Sequence, residues 1–135
     1  MSDVICGIAD GSVPAQVVWR DDAIVAFLDH RPVFKGHVLV APIAHFDTLL
    51  ELPAELVGPL FTLVQRVAAA MVTGLGAQGS FTGINTVVSQ SVPHLHVHVI
   101  PRTKGDGLRG FFWPRGSYAE GEAADYAARI RHALG

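Results

Sequence analysis

The sequence predicts an α+β domain in which an antiparallel five-stranded sheet carries one long helix and a C-terminal helix. Five short runs rich in β-branched and apolar residues are separated by turn residues, which is typical of strands. Residues 53–74 and 117–134 instead space their apolar side chains three and four apart, which is typical of amphipathic helices. Strands with helices between and after them favour an antiparallel sheet. We expect residues 1–135 to form a single domain of this kind.

The first three predicted strands are residues 16–20, 23–28 and 37–41. Asp21 and Asp22 separate the first two runs and form a turn pair of the kind that joins a hairpin. The opening residues 1–15 contain Gly7 and Gly11, and they predict a loop or short turn that leads into the first strand.

A long helix is predicted from about Pro53 to Gly74, with one apolar face. That face consists of Leu56, Leu60, Leu63, Val64, Val67 and Met71. Gly58-Pro59 either kinks this helix or marks its true start, because proline is tolerated in a first turn but breaks an interior. The remaining predicted elements are strands at Ser80–Val88 and Pro93–Pro101 and a helix that follows the capping-box pattern Ser117–Glu120.

Histidines occupy every second position of the fifth predicted strand. In an extended chain His94, His96 and His98 share one face, while aliphatic residues line the other. The two outer histidines are roughly 13 Å apart along a strand, too far to meet easily on one ion. Imidazole is also a good nucleophile and base near neutral pH. The row therefore favours a reaction surface, and the alternative is a half-exposed strand with solvated histidines.

Composition excludes several classes of function. The net charge of −2 provides no global attraction to nucleic acid or to an anionic membrane, so any phosphate must be bound locally. Cys6 is the single cysteine, which excludes an intrachain disulfide and favours a reducing compartment. No apolar run approaches the roughly 20 residues of a membrane span, and the N-terminus lacks the features of a signal peptide. We expect a cytoplasmic protein.

Three segments together resemble the histidine triad (HIT) family of nucleotide hydrolases and transferases. They are residues 36–40, His45 and residues 90–102, which include the triad and the Gln-x-Val-x that precedes it. The resemblance implies a HIT-like fold, usually a homodimer, that binds a nucleoside phosphate. It also implies cleavage at the α-phosphorus of an adenosine or other purine nucleotide conjugate, at a phosphoanhydride or phosphoramidate bond, through a covalent nucleotidyl-histidine intermediate. No cofactor is required for this chemistry.

The resemblance makes His96 the nucleophile, and the strand supports this because only the central histidine is flanked on both sides. His98 is then expected to contact the phosphate or the leaving group, and His94 to orient His96. His37 matches a histidine that the family keeps near the triad. Its alternative role is that of a strand-start histidine bonded to the backbone.

For the nucleoside, the resemblance places Asp29 on the ribose hydroxyls, where a carboxylate accepts two hydrogens well. A turn residue at a strand end is the alternative for Asp29. Phe27 and Leu28 are expected to wall the base, although one of an alternating pair usually belongs to the core.

The phosphate is expected to meet side chains that precede the triad. Gln90 and Ser91 supply donors there, and Asn85 is the polar residue at the end of the fourth predicted strand. The loop at residues 86–89 is shorter and less glycine-rich than the phosphate loop usual in the family.

A structural zinc is the possible metal. Many bacterial relatives have a Cys-x-x-Cys that joins a histidine like His45 and the first triad histidine, here His94, around zinc. This chain has Asp3 and Cys6 at that spacing, so a carboxylate replaces one thiolate. The four residues can make a tetrahedral site, and the alternative is a buried thiol without a metal.

Basic and aromatic residues alternate in residues 102–115, a composition that suits a nucleotide. We expect Arg109 and Trp113 to contact the leaving-group side of the substrate. A surface loop that packs on the sheet or across a dimer interface is the alternative.

Two other functions remain open on sequence alone. A metal-dependent hydrolase could use His94 and His96 as a ligand pair, but no acidic residue lies between Val88 and Lys104 to complete its site. A nucleotide-binding regulatory or scaffold protein could keep this fold with little turnover.

Overall fold

The computed structural model describes residues 3–108 and 115–135, and these residues form one five-stranded sheet with three α-helices. The strands are β1 (Val17–Arg20), β2 (Ile24–Leu28), β3 (Val38–Pro42), β4 (Gly79–Gly83) and β5 (Val97–Arg102). Their order in the sheet is β1-β2-β3-β5-β4, and every neighbouring pair is antiparallel. The predicted α+β class and the antiparallel sheet are confirmed.

The hairpin between β1 and β2 turns at the predicted aspartates. Oδ1 of Asp21 accepts the backbone N–H groups of Ala23 and Ile24, both at 2.8 Å. The carboxylate therefore holds the turn as an Asx-type motif, which explains why this residue type joins the two strands.

The opening residues form a helix, so the prediction of a loop there was wrong. Helix α1 spans Val4–Asp10, its N-terminus is capped by the Asp3 side chain, and Gly11 ends it with a φ of 86°. Ile5 and Ile8 are buried at helical spacing. The glycines suggested a loop, but Gly7 lies inside the helix, where an added Cβ would be 2.5 Å from a Val13 methyl group.

Helix α2 spans Ala54–Leu75 and covers one face of the sheet. It begins at Ala54, so Pro59 lies inside it and does not mark its start. Its buried residues are Leu60, Leu63, Val64, Val67 and Met71. By length and composition alone this helix could cross a membrane, which differs from our expectation that no run approaches that length. Core helices of soluble proteins have the same composition, and its five buried residues pack on the sheet.

The two sheet faces have separate cores. Alternate residues of the central strands, such as Val40 and Val97, pack against α2, whereas Val25 and Phe27 pack against α1. Because His98 alternates with Val97 and Val99, its side chain belongs to the face that α1 partly covers.

Two predicted strands are shorter than expected. The fourth ends at Gly83, because Val87 and Ser89 adopt positive φ values of 67° and 64°, which strands do not tolerate. The histidine strand begins at Val97, so His94 and His96 precede it.

Helix α3 spans Glu122–Leu134 and gives the predicted C-terminal helix. Its N-cap is Gly121 instead of a residue in the capping-box pattern Ser117–Glu120. Residues 115–135 are exposed throughout.

The packing of α2 predicts where the fold is sensitive. Leu60 is fully buried, so Leu60→Ala should lower the free energy of unfolding by about 2–5 kcal/mol through lost burial and a cavity. Val57→Ala on the same helix, where Val57 is 42% exposed, is the matched control and should cost less than about 1 kcal/mol. Urea denaturation of both variants checks this, and equal losses would contradict the assigned buried face.

Candidate active site

The three triad histidines divide between two neighbouring sites. The rings of His96 and His98 lie 5.0 Å apart, centroid to centroid, and line a cavity. The ring of His94 is fully buried and contacts Cys6 of α1 and His45. The triad therefore supplies two rings to the cavity and one to an adjacent polar cluster.

A backbone hydrogen bond fixes the protonation of His96. Its Nδ1–H donates to the carbonyl oxygen of His94 at 2.7 Å. In a neutral imidazole the other nitrogen, Nε2, then carries the lone pair. His94 thus holds His96 through the main chain, whereas the sequence suggested only that one histidine orients the other.

His98 has the opposite tautomer, which two further hydrogen bonds determine. The backbone N–H of Val33 donates to His37 Nδ1 at 3.1 Å, so the neutral His37 ring carries its proton on Nε2. That proton is donated to His98 Nδ1, 3.0 Å away. His98 therefore keeps its own proton on Nε2 and offers an N–H donor.

The surroundings keep His37 and His98 neutral at pH 7. Burial lowers the pKa of His98 to about 4, and the charges of His96 and His37 act in the same direction. Burial also lowers the pKa of His37; Asp29 opposes this, with its Oδ2 3.8 Å from His37 Nδ1. Neutral rings are what the tautomer assignments require.

The cavity has a volume of about 840 Å³ and contains several of the predicted residues. Phe27, Leu28, Asp29 and Ser91 line it together with His96 and His98. Oδ1 of Asp29 also accepts the backbone N–H of Arg31 at 2.9 Å, so this residue has the alternative turn role as well.

Other predicted residues lie elsewhere. Gln90 stabilises the loop before the triad, because its Nε2 donates to the carbonyls of Asp47 and Val92 at 2.6 and 3.0 Å. Asn85 is exposed and does not line the cavity. Arg109 and Trp113 lie outside the described residues.

Sequence reasoning missed one wall of the cavity. Val4, Ile5 and Ile8 of α1 line it, as do residues 13–16. The available signal was Asp3, a good N-cap residue, followed by apolar residues at helical spacing.

A second cluster of polar atoms lies beside the cavity and consists of Asp3, Cys6, His45 and His94. Cys6 Sγ lies 3.6 and 3.5 Å from the Nδ1 atoms of His45 and His94, and 3.5 Å from Asp3 Oδ2. A tetrahedral zinc ion, with bonds of about 2.3 Å to sulfur and about 2.0–2.1 Å to nitrogen or oxygen, spaces sulfur and the lighter atoms about 3.5 Å apart. Oδ2 is 2.8 and 3.2 Å from the two Nδ1 atoms, near the corresponding edge of about 3.3 Å.

The outer contacts of this cluster turn lone pairs inward. His94 Nε2–H donates to the carbonyl of Pro42 at 2.8 Å, and His45 Nε2–H donates to Asp47 Oδ1 at 2.6 Å. A neutral ring with its proton on Nε2 would present an unprotonated Nδ1 to a metal ion at the cluster. Carboxylate and carbonyl partners of this kind are typical of zinc-binding histidines. The residues present fit a zinc ion.

Within the described part of the chain, two clusters of residues could hold a metal ion, and neither contains both His94 and His96. One group contains His94, and the other, Asp29 with His37 and His98, contains neither His94 nor His96. This arrangement opposes the metal-hydrolase alternative, which needs both histidines on one ion.

Fold and cavity together define a small α+β domain with paired histidines at the wall of a cavity. The HIT domain model matches residues 10–105. The chain belongs to the HIT family.

Solved structures agree with this assignment. A HIT family protein from Bacillus subtilis superposes with a TM-score of 0.91 at 32% identity, over 100% of this chain and 99% of that one. A Zn-bound histidine triad family protein from Mycobacterium smegmatis has a TM-score of 0.76 at 34% identity, with 98% of each chain covered.

Two relatives have names that state an activity. An adenylylsulfatase of Arabidopsis thaliana is 32% identical over 107 residues, 78% of this chain and 54% of that protein. A bis(5'-nucleosyl)-tetraphosphatase of Schizosaccharomyces pombe is 38% identical over 96 residues, 70% of this chain and 53% of that protein. The chain spans about half the length of each, and the similarity supports a nucleotide hydrolase or transferase in general terms.

The lowered pKa of His98 predicts a pH-dependent stability. Because the unfolded state has a histidine pKa near 6.5 and the folded state about 4, stability is present above pH 6.5 and is lost as the pH falls toward 4. His98→Asn keeps an acceptor near Nδ1 but does not titrate. Between pH 7 and pH 5 the wild type should lose up to about 2 kcal/mol more than this variant in urea denaturation. Parallel pH profiles would contradict the burial of His98.

Proposed function

We propose that the chain cleaves nucleotide conjugates at the α-phosphorus, with His96 as the nucleophile. The opposite tautomers of His96 and His98 in one cavity support this most directly. His96 offers a lone pair on Nε2, and His98, whose ring centroid lies 5.0 Å from that of His96, offers an N–H donor. Phosphoryl transfer needs an aligned nucleophile and charge stabilisation and little else.

In the proposed reaction a bond forms between His96 Nε2 and the α-phosphorus while the bond from phosphorus to the leaving group breaks. The ring becomes cationic, and its Nδ1–H bond to the His94 carbonyl strengthens as that charge grows. His98 Nε2–H donates to the phosphate or to the leaving atom. Water then attacks the same phosphorus and releases one proton to solvent, which balances the proton that the leaving atom takes up from solvent. The P–N bond breaks, and His96 regains its lone pair.

The nucleoside would occupy the rest of the cavity. Asp29 lines the cavity, and we propose that its Oδ2 accepts ribose hydroxyls, since Oδ1 already accepts a backbone N–H. The apolar surface of Phe27 and of α1 suits a purine ring. We propose an adenosine or other purine nucleotide with a phosphoanhydride or phosphoramidate bond, and the names of the two hydrolase relatives support the anhydride case.

We also propose a structural zinc at the cluster of Asp3, Cys6, His45 and His94. Zinc would supply folding energy there and take no part in the reaction, because all four ligands leave no position open to substrate. The zinc-bound mycobacterial relative supports this proposal.

His96→Asn should abolish turnover and leave AMP binding within a few-fold of the wild type, because the amide fits the cavity but forms no P–N bond. The assays are release of AMP from an adenosine phosphoramidate and from a dinucleoside polyphosphate, with AMP binding measured by calorimetry. His132→Asn on exposed α3 is the control and should turn over normally. Activity near the wild-type level in His96→Asn would exclude His96 as the nucleophile.

We propose a homodimer in which the outer face of α2 takes part. Val72 on that face is 46% exposed. Sedimentation should give about twice 14.4 kDa, and Val72→Asp should yield the monomer, since a charge in an apolar interface is costly. A wild type that stays monomeric at micromolar concentration would contradict this.

A further inference from the structure

The two oxygens of the Asp3 carboxylate contact different parts of the fold, helix α1 and the polar cluster. Oδ1 accepts the N–H of Cys6 at 2.8 Å and caps α1. Oδ2 faces the cluster, 2.8 Å from His45 Nδ1 and 3.2 Å from His94 Nδ1.

The same short helix forms a wall of the cavity. Val4, Ile5 and Ile8 line it from α1, next to Phe27 on the sheet. A helix of 7 residues is too short to be stable alone in water, so its order depends on what docks it. Besides its apolar contacts, α1 has two polar ties to the rest of the domain. Asp3 and Cys6 reach His45 and His94, and the guanidinium of Arg20 in β1 donates to the Ile8 carbonyl at 2.9 Å.

We infer that metal binding at this cluster orders α1 and thereby completes the nucleoside cavity, with Asp3 as the positioning residue that links the two. The inference rests on the proposed zinc site and the proposed nucleotide site. It assigns the metal a regulatory effect on nucleotide affinity in addition to stability. An aspartate at position 3 suits this role, because Oδ1 caps the helix while Oδ2 would bind the metal, and aspartate is among the best N-cap residues.

The direct test is hydrogen exchange of the α1 amides in the full chain, with zinc and after removal of metal by EDTA. Amides of residues 4–10 should exchange at least about tenfold faster without zinc, while the amide of Val40 in the central strand β3 should not change. The AMP dissociation constant should rise about tenfold in parallel, as expected if α1 is docked in about one molecule in ten without metal.

Variants at position 3 separate capping from metal binding. Asp3→Ser keeps a capping oxygen but is too short to bind the ion, so zinc should change neither its α1 exchange nor its AMP affinity. Asp3→Cys supplies a metal ligand but a poor cap. Without zinc its α1 amides should exchange faster than those of the wild type, and zinc should still slow this exchange and tighten AMP binding. Asp10→Ser, which removes a carboxylate at the other end of α1, is the control and should respond to zinc like the wild type.

Each result decides the inference. It is overturned if α1 exchange and AMP affinity of the wild type are the same with and without zinc, or if calorimetry finds no zinc binding. It is also overturned if Asp3→Ser responds to zinc as the wild type does. The proposed reaction is judged separately, by turnover of the zinc-loaded wild type against His96→Asn.

Discussion

The hydrogen bond between the His94 carbonyl and His96 Nδ1–H is the interaction on which the site depends. Its donor and acceptor belong to residues two positions apart, in the stretch that precedes β5. The His94 N–H donates to the Val92 carbonyl at 2.8 Å, and the Leu95 N–H donates to the Phe46 carbonyl at 2.7 Å. A side chain that needs a fixed tautomer is thus held by backbone whose own N–H groups at His94 and Leu95 are hydrogen-bonded.

This arrangement places the chemistry of both cavity histidines under backbone control. A carbonyl selects the tautomer of His96, and the N–H of Val33 selects that of His37 and, one bond further on, that of His98. Backbone groups do not titrate, so the tautomer of His96 does not depend on the ionisation of another side chain, whereas the tautomer of His98 also requires a neutral His37. Burial, which lowers the pKa values of His37 and His98, keeps both rings in the neutral form that these hydrogen bonds require.

The sequence predicted the sheet and the long helix because their signals follow local rules. These signals are the β-branched runs, the turn aspartates and the apolar face of α2. It failed where tertiary contacts override those rules. The α1 stretch carries two glycines that suggest a loop, yet Gly7 is required by the close approach of Val13. The regular spacing of the histidines predicted one strand, but the strand pairing starts only at Val97, since Leu95 bonds to Phe46 outside the sheet. Gln90 was a donor without a visible partner in the sequence, and the structure pairs it within its own loop.

Replacing one thiolate of the cluster with Asp3 changes how the site responds to oxidants. A pair of neighbouring thiolates can be oxidised to a disulfide, and that bond removes two ligands from a metal at once. This chain has Cys6 as its single cysteine, so no such bond can form within it. Oxidation would instead proceed through the sulfenic acid of Cys6, and the carboxylate and imidazole groups of the cluster would not take part in that reaction. A zinc ion at the proposed site would thus have a hard oxygen ligand that is inert to peroxide in place of a soft, redox-active one.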